Sequence, residues 1–186
     1  MIDRYWNAAL ENSGVSTFIT EKDEKALEYL QDIQLVEGTS EASISLRFHF
    51  KTNPYFNETV LTRKLVYANG KPFCIEGDVP TWKAGNWLTH ESKKASNKTT
   101  GLTKTVQGKK IASFFDVFMN WNVTDNPDEF DKCHQIMEEL MAVIKDSLNF
   151  FLGLFEVDNS EDDEEDEYED LDEEEEEEAP PKKGKK

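Results

Sequence analysis

Apolar positions along the chain keep two different periods, and the change from one to the other lays out the elements. Near the start, Tyr5, Trp6 and Leu10 fit one side of a short helix within residues 1–12, and Gly14 interrupts it. A second helix is predicted from Thr20, whose hydroxyl can cap the first turn. Glu21 and Asp23 lie near the positive end of its dipole, and Ala26, Leu27 and Leu30 form its buried stripe. The period then drops to two. Ile44, Leu46, Phe48 and Phe50 alternate with Ser45, Arg47 and His49, the pattern of a strand with one wet face. Asn53-Pro54 ends that strand, and a second, about 60–67, runs into Asn69-Gly70, a strong two-residue hairpin signal. Phe73 to Glu76 supplies the partner. Three or four strands joined by short turns predict an antiparallel meander.

Residues 83–110 break the pattern, with seven lysines, a single acid (Glu91) and few apolar positions between Leu88 and Leu102. Leu88-Thr89-His90 and Thr103-Lys104-Thr105-Val106 are predicted to pair as a ribbon that projects from the body, because it has little to bury. Ser113-Phe114-Phe115-Asp116-Val117-Phe118 then opens a short, buried, aromatic helix. Asn126-Pro127-Asp128-Glu129 is a helix start with a capping Asn, Pro at the first position and acids in the first turn. From there Phe130, Cys133, Met137, Leu140, Met141, Ile144, Leu148 and Phe151 step by three and four. They predict an amphipathic helix of about six turns that ends near Gly153 and lies across one face of the sheet. The expected class is α+β: an antiparallel β-sheet packed by helices on one side, with a projecting basic hairpin.

Charge divides the chain in two. Residues 156–186 hold 18 of the 39 acidic side chains against four lysines, a net of −14, while residues 1–155 carry a net of only −4. A segment of that composition cannot bury apolar surface, so 156–186 is expected to be a disordered acidic tail with a basic end. Its field attracts basic partners and repels nucleic-acid phosphates. Residues 1–155, which hold nearly all of the twelve Phe, five Tyr and four Trp, suit one domain with a sizeable core. No run approaches the roughly 18 apolar residues of a membrane span, and the N-terminus lacks an apolar secretory region. A soluble, intracellular chain is expected, with Cys74 and Cys133 as reduced core thiols.

No catalytic constellation emerges, and the chain is expected not to be an enzyme. His49, His90 and His134 fall on a strand's polar face, a ribbon and a helix, with no carboxylate or Cys at ligand spacing, and no metal site is expected. There is neither a glycine-rich phosphate loop nor a nucleophile elbow. The lysine-rich ribbon has three readings, in this order: a solvated hairpin whose charges guard its edges, a nuclear import signal using Lys93, Lys94 and Lys98, and a nucleic-acid contact. The tail is either a solubilising extension or a functional polyanion. Ser160, followed by Glu161-Asp162-Asp163, has the context that an acidophilic kinase prefers.

Several segments, taken in order, carry a resemblance. Phe48-His49-Phe50-Lys51-Thr52-Asn53-Pro54-Tyr55-Phe56 followed by Val60-Leu61-Thr62, then Trp82-Lys83-Ala84-Gly85 with Leu88-Thr89, resemble signature elements of the nucleosome assembly proteins. Lys98-Thr99-Thr100-Gly101 through Val106 is similar to the family's basic hairpin, and 113–118 to its S-F-F-x-x-F helix. Tyr5-Trp6 and the stretch from Leu27 to Ile33 are similar to the segment before the sheet. Ala84 and Trp87 depart from the pattern, standing where Pro and a small polar residue are usual.

The resemblance implies a histone chaperone that binds core histones through an acidic surface and tail, assists nucleosome assembly and histone transport, uses no cofactor, and shuttles between nucleus and cytoplasm. On that reading the histone-binding candidates in the domain are Asp116, Asp125, Asp128, Glu129, Asp131, Glu138 and Glu139. In the tail they are Glu161, Asp162, Asp163, Glu164, Glu165, Asp166, Glu167, Glu169, Asp170, Asp172, Glu173, Glu174, Glu175, Glu176, Glu177 and Glu178. Lys182, Lys183, Lys185 and Lys186 form a second import candidate, with importin the implied partner. Family members usually carry a long N-terminal dimerisation helix before the segment that matches Trp6. Only five residues precede it here, which leaves the family's homodimer open. The alternative is a phosphatase inhibitor or scaffold like the related SET branch. A third, an inert decoy for full-length relatives, follows only if the missing helix is real.

Overall fold

The computed structural model describes residues 4–37, 43–96, 100 and 102–154. Expectations for Lys98, Ser160, the tail acids 161–178 and the basic end 182–186 therefore lie outside the described residues.

Helix α1 (Tyr5–Glu11) and a 3₁₀ turn (Gly14–Phe18) lead into α2 (Glu21–Leu27). The start of α2 is a capping box: the Thr20 hydroxyl accepts from the Asp23 amide, and the Asp23 carboxylate accepts from the Thr20 amide at 2.9 Å. Asp23 does more than complement a dipole. It is buried, and it also accepts from the Ser113 hydroxyl at 2.6 Å and the Phe114 amide at 2.9 Å, tying the start of α2 to a segment far along the chain.

The sheet is a five-stranded antiparallel meander with a short last strand: β1 (Leu30–Glu37), β2 (Ser43–Phe50), β3 (Val60–Ala68), β4 (Lys71–Gly77) and β7 (Trp121–Asn122) in spatial order. The β3–β4 turn is Asn69-Gly70, both at positive φ, as a two-residue hairpin requires. Leu30 opens β1 rather than extending α2. A register shift between Leu30 and Asp32 leaves Gln31 as an extra residue. Leu30 lies three residues beyond Leu27, a spacing that imitates a helix, and the bulge brings Leu30 and Ile33 to the same buried side. The two-residue β7 also went unforeseen, being too short to show a period.

One face of the sheet carries Leu30, Ile33, Leu46, Phe48, Phe50, Leu61, Leu65 and Ile75 into the core. A second 3₁₀ turn (Phe114–Phe118), rather than an α-helix, lays its aromatic rings on that face. Phe118 meets Phe48 edge-on at 4.9 Å, and Phe115, Trp82 and Phe56 form a chain of rings with centroids 5.8–5.9 Å apart. Arg63 occupies a core position of β3, fully buried. Its guanidinium donates to the Met119 carbonyl, to Asn120 Oδ1 at 3.2 Å and to the Asp78 carbonyl at 3.3 Å. Burial without a directly paired carboxylate pulls its pKa down to about 10.

Helix α3 (Pro127–Lys145) crosses the same side of the sheet, contacting β1, β4 and β7. Pro127 takes the first position, but Asn126 supplies no side-chain cap. Asn122 orders the approach instead, its Oδ1 accepting from the amides of Thr124 and Asp125 at 2.9 and 2.7 Å. The predicted six-turn helix breaks at Asp146 (φ −132°, ψ 38°), and α4 (Ser147–Leu152) continues in a new phase. Leu148 consequently leaves the buried stripe and is 58% exposed, while Phe150 enters the core. Helix α4 rests on α1 through Tyr5, which stacks on Phe151 at 4.8 Å and donates to Ser147 at 2.8 Å.

The basic ribbon is a separate two-stranded sheet, β5 (His90–Ser96) and β6 (Thr103–Lys110). Leu88 and Thr89 are buried in the body just before the ribbon strands, with the Thr89 carbonyl accepting from the Ile111 amide at 3.0 Å, so the ribbon root lies later than expected. Cys133 is a core thiol, its pKa pushed up to about 12 by burial, whereas Cys74 is only half-buried and its neighbours in β4 alternate between faces.

Replacing Asp23 with alanine leaves buried donors from two distant segments without an acceptor. Asp23→Ala should lower unfolding stability by about 3 kcal/mol, read by urea denaturation.

Candidate acidic binding surface

Pro127 and the acids that follow it place carboxylates on the first turns of α3, where the unpaired amides at the helix start favour them. The buried stripe of α3 is Phe130, Cys133, Ile136, Met137, Leu140 and Val143. With that stripe fixed against the sheet, the opposite face must point outward. Asp128, Asp131 and Glu138 stand there, exposed and within about 80° of one another around the axis. Asp128 and Asp131 have no ion-pair partner among the described residues. Glu138 lies 3.6 Å from His134 Nε2, one helical turn away.

The other sequence candidates are placed differently. Asp125 is exposed and accepts from Asn122 Nδ2 at 2.6 Å. Glu139 is half-buried against Gly14, where an added Cβ would sit 2.7 Å from its carboxylate. Glu129 is engaged by Lys110 Nζ at 2.9 Å. Asp116 is not a surface acid at all. It is 1% exposed, with Lys132 Nζ at 3.3 Å and Lys110 Nζ at 3.9 Å. Neighbouring aromatic residues carried it into the core, and desolvation raises its pKa above the ordinary aspartate value although both lysines pull it down.

Sequence reasoning missed the cations that organise these acids. Lys132 reaches Asp116, sixteen residues back in the chain, which no local spacing shows. Lys110 is no more readable, because only the fold brings the end of β6 to α3. On the ribbon, Lys93 and Lys94 are exposed, and Lys93 lies 4.0 Å from Glu91. Trp87 is half-buried and helps line a hollow of about 190 Å³ with Lys22, Lys25, Tyr55, Leu88 and Ser92. Among the described residues no group of His, Cys, Asp and Glu is arranged to hold a metal, and no helix is long and apolar enough to cross a membrane.

The fold is a helix-backed antiparallel meander with a separate basic ribbon and an acidic helix face, and comparison with known proteins identifies its family. The family model described as "Nucleosome assembly protein (NAP)" matches residues 1–182. A probable nucleosome assembly protein of Dictyostelium discoideum is 34% identical over 167 residues, covering 82% of this chain and 52% of that relative. Nucleosome assembly protein 1;1 of Arabidopsis thaliana is 34% identical over 140 residues, covering 70% of this chain and 37% of its own length. Among solved structures, nucleosome assembly protein 1 from Plasmodium knowlesi superposes with a TM-score of 0.64 at 25% identity, over 83% of this chain and 69% of that one. The chain belongs to the nucleosome assembly protein family. It spans about half the length, or less, of these two curated relatives.

The position of Asp116 gives a checkable sign. Its folded pKa lies above its unfolded value, so the folded state takes up this proton more readily. As pH falls through the raised pKa, this group by itself adds stability, and the contribution is absent above that pKa. A carboxyl-carbon NMR titration should find Asp116 protonating above the ordinary aspartate value of about 3.9. A midpoint at or below that value would mean that the two lysines outweigh burial.

Proposed function

We propose that this chain is a non-catalytic histone chaperone that receives basic histone surfaces on the outward face of α3 and on its acidic tail. The observation that carries the reading is the set Asp128, Asp131 and Glu138 on one exposed helix face, two of the three having no cation partner among the described residues. Membership of the nucleosome assembly protein family supports it. A polyanion of moderate affinity suits the task. It keeps highly cationic histones from premature contact with DNA, yet yields them to the tighter nucleosome. Exposed charges give fast, salt-sensitive association of this kind.

The tail acids 161–178 supply further negative charge for the same partners, and phosphorylation at Ser160 would add roughly −1.5 to −2 charge beside them in the sequence. The ribbon lysines Lys93 and Lys94, with Lys98, Lys182, Lys183, Lys185 and Lys186, are proposed to engage importin, which gives a chain that shuttles between cytoplasm and nucleus. Nothing on the described surface favours the phosphatase-binding alternative.

Two variants of the full chain test the reading against purified core histones. Asp128→Asn/Asp131→Asn/Glu138→Gln should weaken binding by about three- to tenfold with unfolding stability little changed, since each exposed charge contributes about 0.2–1 kcal/mol. Deleting residues 160–186 should weaken binding further and flatten its dependence on salt. Affinity and salt slope unchanged in both variants would contradict the proposal.

A further inference from the structure

The acidic helix already holds a cation of its own. Lys110, the last residue of β6, places Nζ 2.9 Å from Glu129 Oε1, 3.9 Å from Asp116 Oδ1 and 4.8 Å from the centre of the Trp121 ring. The carboxylates belong to α3 and to the second 3₁₀ turn, the ring to β7, and the lysine to the ribbon. An ammonium between two carboxylates and over an indole face is how a protein receives a lysine or arginine from a partner.

We infer that Lys110 is an internal occupant of a cation-binding site at the start of α3, and that a basic histone side chain competes with it for Glu129. The inference rests on the chaperone reading above and adds to it the residue that holds histone affinity down and couples the acidic face to the ribbon. Three observations make the exchange feasible. The side chains of Lys110 and Glu129 are about equally exposed, at 40% and 38%, so an incoming cation can reach the pair. Asp116 keeps Lys132 at 3.3 Å after Lys110 leaves, so its buried charge is not abandoned. The ribbon root also has other ties, from the Ile111 amide to the Thr89 carbonyl at 3.0 Å and from the Ser92 hydroxyl to the Gly85 carbonyl at 2.7 Å. Displacing Lys110 therefore frees one corner of the ribbon and leaves it attached. Because coupling between sites is reciprocal, whatever holds Lys110 in place lowers affinity for histones, and histones loosen the ribbon root.

Lys109 provides the control. It is exposed, carries the same charge, adjoins Lys110 and has no partner among the described residues. In the full chain, Lys110→Met should bind purified core histones about three- to fivefold more tightly than Lys109→Met, the range of an exposed ion pair. Glu129→Gln should abolish that difference, as a double-mutant cycle requires if the two residues act on each other. Equal affinities for the two lysine variants, or a gain that survives Glu129→Gln, would overturn the inference. Lys110→Arg, which keeps the charge, should behave as wild type.

A partner-free arm separates this inference from the chaperone reading. Without histones, Lys110→Met should speed amide hydrogen exchange across residues 107–111 relative to Lys109→Met. If the wild-type chain ignores histones, the chaperone reading fails, and the faster exchange would still support Lys110 as the occupant of the site. Equal exchange in the two variants would overturn that occupancy whatever the histones do.

Discussion

The seating of one short segment, residues 113–122, on the core face of the sheet is the constraint on which the rest depends. Charged or strongly polar groups hold it at three places. Asp23 accepts from Ser113 and Phe114 at its start, Lys132 and Lys110 flank Asp116 in its middle, and Arg63 donates to Met119 and Asn120 near its end. Between these anchors Phe114, Phe115 and Phe118 fill the aromatic core. Each anchor takes a charge out of water, a cost recovered only when its hydrogen bonds are made in one geometry. The segment is consequently fixed in register and direction. It ends in β7 and leads on to α3, so the outward face of that helix, and the acids on it, are set by contacts on its buried side.

Much of this was legible in the amino-acid order, for reasons that can be named. Alternation in β2 and β3 survives because one face is buried and the other wet, and Asn69-Gly70 suits a turn with two positive φ angles. The failures have equally local causes. A bulge at Gln31 gave β1 a spacing of three, and the break at Asp146 reset the phase of the last helix so that Leu148 turned outward. Asn126 has the composition of a cap without the geometry, because Asn122 already holds the preceding turn.

The binding surface was less legible than the fold because one-letter acids do not reveal their surroundings. Asp116 and Asp128 look alike in sequence. One is enclosed with two lysines and raised in pKa, and the other is exposed with no cation partner among the described residues. Asp23 was likewise legible as a helix-start acid but not as a buried hub. The distinction turns on contacts between distant segments, above all the approach of β6 to α3. Among the seven domain candidates, Asp125, Asp128, Asp131 and Glu138 are the exposed ones.

The proposed docking place for basic partners is the outward face of α3 rather than the strands of the sheet. Hydrogen exchange of the full chain with and without purified core histones tests this most directly. Slower exchange concentrated in α3, together with unchanged exchange in β2 and β3, is the predicted result. Protection confined to the sheet strands, with α3 unaffected, would contradict it.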